Sequence, residues 1–112
     1  MIAALRAHNR DYPEDSRGHL LLATLYLNRK WNKDAVAQYE FAYRRDPSAR
    51  GASQMLANLV RLASESTTAD EAAALIREAY GHEARGAVAR AIKRATEDAA
   101  KQRLQQLLGT LQ

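Results

Sequence analysis

The two prolines of this chain stand 34 residues apart, and each sits where a helix must stop. In Tyr12-Pro13 and Asp46-Pro47 the residue before proline is pushed out of the α region. Between the two stops lie two apolar runs of helical spacing, joined by the short segment Arg29-Lys30-Trp31-Asn32. A period of two helices and a turn confines the fold to stacked helical hairpins, because such a unit buries its apolar face only against a neighbour. Composition agrees. Apolar residues are 46% of the 112 and are mostly alanine and leucine, which favour helices over strands. The length fits a single domain.

Helices are expected over about 2–11, 16–29, 33–45, 50–63 and 69–80, with a last helical segment over 83–108. Ile2 and Leu5 mark one side of the first. Asp15 or Ser16 can cap the second, whose HLLLATLYL run is apolar nearly all round and so requires cover on more than one face. Asn32 can cap the third, where Ala35, Val36, Tyr39, Ala42 and Tyr43 form a stripe. Met55, Leu56, Leu59, Val60 and Ala63 mark the fourth. Thr68 and Glu71 have the spacing of a capping box for the fifth, which buries Ala72, Leu75, Ile76 and Ala79. Gly81 suits a left-handed stop. In the last segment the stripe of Ala84, Val88, Ala91, Ile92, Ala95 and Ala99 gives way to Leu104, Leu107, Leu108 and Leu111 at another angle. This predicts a break near Thr96-Glu97-Asp98, with Gly109 ending the helix.

Residues His19, Leu22, Ala23 and Tyr26, then Ala35 and Tyr39, then Pro47 keep the spacing W-x2-L-G-x2-Y, A-x3-F, P without a gap. This resembles the tetratricopeptide repeat. Histidine replaces the usual tryptophan and alanine the glycine. The resemblance implies an all-α, antiparallel helix-hairpin repeat, an α-solenoid fragment with a degenerate helical C-terminal part. It covers 16–49 as a complete repeat, 1–13 as the second helix of a partial repeat, and 50–80 as a degenerate one. It also implies small Ala23, Ala35 and Ala42 between closely packed helices. The layout is similar to the repeat-bearing C-terminal tails of bacterial signalling proteins, including some serine/threonine kinases, although no glycine-rich loop, HRD or DFG is present. The family's inner face, carried over, is Arg17, Leu20, Thr24, Leu27 and Asn28. Leu20 and Thr24 stand where a carboxylate clamp would have lysine and asparagine, which points to an apolar groove or a face covered by another helix.

Chemistry-bearing patterns are sparse. His8, His19 and His82 lack the partners of a helix-borne metal site, and His19 reads as a packing residue. Glu14-Asp15 and Asp70-Glu71 lie at helix starts, where negative charge is favourable. No nucleophile–base pair, phosphate loop or cysteine pair occurs. No catalytic, cofactor or metal role is therefore expected. Trp31 reads as closing the hairpin rather than as an anchor for a partner. Residues 85–103 carry a net charge equal to the +4 of the whole chain. Arg90, Lys93, Arg94 and Lys101 span an arc of about 100° of helix, read chiefly as a solvated face, with an acidic protein partner and then nucleic acid as the other readings.

The expected function is a protein–protein interaction scaffold, part of a larger bacterial regulatory protein, with another protein or domain as partner. The runner-up is a nucleic-acid-associated helical module using the 85–103 segment. No membrane role is expected, and the absence of cysteine suits the cytoplasm. The phase of the repeat places Met1 inside a repeat, so the chain reads as a piece of a longer array. Its open apolar faces would then be hidden in a homodimer, or covered by the C-terminal segment folding back.

Overall fold

The computed structural model describes residues 1–111, and they form seven α-helices and two 3-10 segments with no strand among them. The chain divides into two compact units, one of Met1–Met55 and one from Leu56 onward.

The first unit holds α1 (Ile2–Asp11), α2 (Ser16–Asn28) and α3 (Asn32–Arg45). Helix α1 ends at Tyr12, as the proline after it requires. Asp15 has extended backbone and caps α2 by accepting the Arg17 N–H at 3.1 Å. The cover that the apolar α2 requires comes from α1 on one side and α3 on the other. Leu22, Ala23 and Tyr26 of α2, with Ala35, Val36, Tyr39 and Ala42 of α3, are buried in the core. Gly18 marks the close approach of α1. A Cβ there would lie 2.0 Å from Asn9 Oδ1 and 3.0 Å from His8 Cδ2.

The turn from α2 to α3 follows from backbone chemistry. Lys30 takes a left-handed conformation with φ of 63°. The Lys30 N–H then donates to the Leu27 carbonyl at 2.9 Å, and the Trp31 N–H to the Tyr26 carbonyl at 2.8 Å. This is the Schellman arrangement, including its apolar contact, since the Trp31 and Tyr26 rings lie 5.5 Å apart. Trp31 therefore closes the hairpin as expected. It also precedes α3, and Asn32 is that helix's first residue rather than its cap.

The second unit is built from α4 (Met55–Ala63) past its first residue, α5 (Ala69–Ala79), α6 (Arg85–Arg94) and α7 (Asp98–Thr110). The fourth helix starts later than the expected 50. Pro47–Gly51 forms a 3-10 turn capped by the Asp46 carboxylate, and Gln54 stands at φ 73° just before α4. Thr68 precedes α5, but the capping box does not form. Its hydroxyl instead donates to the Leu62 carbonyl at 2.7 Å, satisfying the end of α4 inside the core. Gly81 is left-handed, with φ of 54°. The expected break is present: Ala95 and Glu97 are extended, so α6 and α7 are separate helices. Gly109 does not end α7, which runs to Thr110. Val88, Leu104, Leu107 and Leu111 are buried.

Candidate partner-binding surfaces

Two of the six cations in 85–103 bond to backbone carbonyls. Arg85, at the start of α6, donates from Nη1 to the carbonyls of Leu108 at 3.1 Å and Leu111 at 2.7 Å. It thus satisfies the carbonyl end of α7, where a cation is favoured, and fixes α6 and α7 as an antiparallel pair. Arg103 of α7 donates to the Ser64 carbonyl at 2.9 Å and ties down the loop after α4.

The break at Ala95–Glu97 changes the geometry of the other four. Arg90, Lys93 and Arg94 lie on α6, while Lys101 lies on α7. The arc expected of one continuous helix does not describe them. Arg90 and Arg94, one turn apart, instead line a cleft of about 740 Å³ together with residues of α4 and α7. Lys93 and Lys101 are outside it.

The cleft has an apolar floor and a cationic rim. Leu56, Ala57 and Val60 come from α4, Ala87 and Ala91 from α6, and Ala100 and Leu104 from α7. Arg61 adds a third guanidinium from α4, and Glu97 is the one acid among the lining residues. Arg61, Arg90 and Arg94 are exposed. Among the described residues, none of the three makes an ion pair. Small Gly86 leaves room for the Arg90 head group, which lies 3.3 Å from where a Cβ would stand. Arg61 and Arg90 are 29 positions apart in the chain, so periodicity within one helix gives no hint of the pairing.

The α2 surface is less uniform than expected. Leu27 is buried at 5% exposure and belongs to the core. Leu20 is half-buried, and Arg17, Thr24 and Asn28 are exposed. The Thr24 hydroxyl donates back to the Leu20 carbonyl at 3.3 Å. Arg17 is tied to Asp15 by a two-pronged contact, Nε to Oδ1 at 3.0 Å and Nη2 to Oδ2 at 3.1 Å. Asp15 also meets His8 Nε2 at 3.1 Å. These bonds, that from Arg17 foremost, hold the Asp15 carboxyl well below the usual carboxylate range. Beside this clasp, Met1, Ala4, Leu5, Gly18 and Leu21 line a shallow groove between α1 and α2. Leu21 is 58% exposed and was not among the expected surface residues.

His19 occupies the slot read as a packing position. Its Nδ1 is 2.8 Å from Gln38 Oε1 and its ring is 5.7 Å from Phe41. No group of three or more metal-ligating side chains occurs among the described residues. Among those residues, no helix is long and apolar enough to cross a membrane. Searches against family models, characterised proteins and solved structures find no match to this chain.

Proposed function

We propose that this chain is a protein-binding helical module, a scaffold within a larger bacterial regulatory protein, and that it receives its partner in the cleft between α4, α6 and α7. The observation that carries this reading is the combination of an apolar floor with three exposed arginines that make no ion pair among the described residues. Concave surfaces of this size, lined by apolar groups with a few charged ones at the edge, are what binding sites are built from. The tetratricopeptide-like arrangement of residues 16–49 belongs to the same reading. It is supported by the complete burial of Ala23, Ala35 and Ala42 between paired helices.

Selection of peptides from a displayed library, followed by amide shift mapping on the labelled protein, tests the proposal. Shifts should concentrate on Leu56–Arg61, Ala87–Ala95 and Ala100–Leu104. Selected peptides that shift only α1 and α2 would move the site elsewhere, and a library yielding no binder would sink it.

The runner-up, a nucleic-acid module, draws on the same arginines. It would make affinity fall steeply with salt as counterions are released. Arg85 and Arg103 contribute less to it than the sequence suggests, because both are occupied by carbonyls.

A further inference from the structure

Resting on the cleft as a protein-binding site, we infer that its occupant is an acidic amphipathic helix of another protein, with aliphatic side chains in the trough and carboxylates on the arginine rim.

The trough is shaped by where small and large residues fall. From α6 come Ala87 and Ala91, four apart, with Ala95 just past the helix end, and α7 contributes Ala100. Alanines at that spacing leave a shallow channel along the helix, as large residues would not. Leu56 and Val60 of α4, also four apart, line the floor, with Leu104 of α7. A guest helix presenting aliphatic residues at i and i+4 matches ridges of the same spacing.

The rim selects the sign of the guest. Arg90 and Arg94 are one turn apart on α6, about 6 Å along the axis. Carboxylates at i and i+4 on a guest helix repeat at the same distance. Arg61 stands on α4, so the guest would meet guanidinium groups from both helices. Glu97 sits in the link between α6 and α7, where it disfavours acid at that end of the trough. Arginine suits carboxylates because its fork can hold both oxygens. A phosphate backbone would satisfy the arginines but leave the aliphatic floor without a counterpart.

The test is fluorescence anisotropy with the full chain and a synthetic helical peptide of about four turns. Leucines are placed at i, i+4 and i+7, with glutamates flanking them. Comparison ligands are a peptide of the same composition with leucines spread round the helix, and a single-stranded oligonucleotide of similar length. The patterned peptide should bind, and binding should weaken with salt. It should fall about tenfold for Arg90→Glu with Arg94→Glu, as expected when a charged rim is reversed. Ala91→Trp, which fills the trough, should block it. The three positions are exposed or half-buried, and circular dichroism checks that each variant folds.

Equal binding of the two peptides would overturn the inference, since the trough would then read no pattern. Tighter binding of the oligonucleotide would overturn it in favour of nucleic acid. If the acidic peptide fails while library-selected peptides of other chemistry are displaced by Ala91→Trp, the acidic-helix inference is wrong and the cleft remains a protein site. If Ala91→Trp displaces no ligand at all, both fall.

Discussion

At the scale of single residues, two backbone positions carry costs that substitution can read. Lys30 is left-handed, a conformation costing a non-glycine residue roughly 1–2 kcal/mol, and the Schellman turn holds it there. Glycine takes it without strain, offset in part by the larger entropy it loses on folding. Lys30→Gly is expected to stabilise the protein by up to about 1 kcal/mol, seen as a higher urea midpoint. A lower midpoint would mean that the lysine side chain matters more than its backbone. Gly18 is the opposite case. An added methyl would overlap Asn9 Oδ1, whose amide is buried with both polar atoms unbonded among the described residues. Gly18→Ala should cost about 1–3 kcal/mol by overpacking, outweighing any helix-propensity gain of up to roughly 1 kcal/mol. In an Asn9→Ala background most of that cost should vanish, because only the 3.0 Å contact to His8 remains. A double-mutant cycle with no coupling would mean that α1 yields easily.

At the scale of elements, the helix ends divide into those the sequence announces and those it does not. Tyr12-Pro13, Asp46-Pro47, Gly81 and the Thr96-Glu97-Asp98 break act through local chemistry, so all four are legible. The start of α4 is not, because nothing in Gln54 signals a positive φ, nor anything in Pro47–Gly51 a 3-10 turn. Thr68 and Glu71 have the right spacing, but the Thr68 hydroxyl is used by Leu62, a choice made by packing. The cleft was only half legible. Arg90 and Arg94 stand out as charge, but their partner Arg61 and the floor come together only through folding. Asp15 unites cap and clasp, and it gives a test with a definite sign. Its carboxyl is held below the usual range by Arg17 first and His8 second. Its contribution is therefore full well above the unfolded value near 3.9 and is lost as pH falls through that value towards the folded one. Acid titrations followed by circular dichroism should show this loss beginning below about pH 5. Asp15→Asn, which can still cap α2, should lower stability at neutral pH and flatten the acid limb. An unchanged acid limb would show that the clasp contributes nothing to stability.

At the scale of the whole molecule, the exposed large apolar side chains, Met1, Tyr12, Leu21, Trp31 and Phe41, all fall in the first unit. Of these, Met1 and Leu21 line one groove between α1 and α2; an exposed apolar surface favours association, and a symmetric pair is its commonest closed form. Sedimentation across micromolar concentrations should show self-association, and Leu21→Glu, in the groove between α1 and α2, should suppress it. A monomer at every concentration would rule out the homodimer.

The pairing pattern has a consequence for how quickly the chain acquires its form. Helix α1 meets α2, α2 meets α3 and α6 meets α7, with α5 reaching no further than α7. The pairings of successive helices close only short loops, and such local contacts form fast, whereas those that bring α4 and α5 to α7 close longer ones. On a ribosome the first hairpin has all its residues by Arg45. It can form while α6 and α7 are still untranslated, so its apolar α2 is sheltered early from the other chains around it.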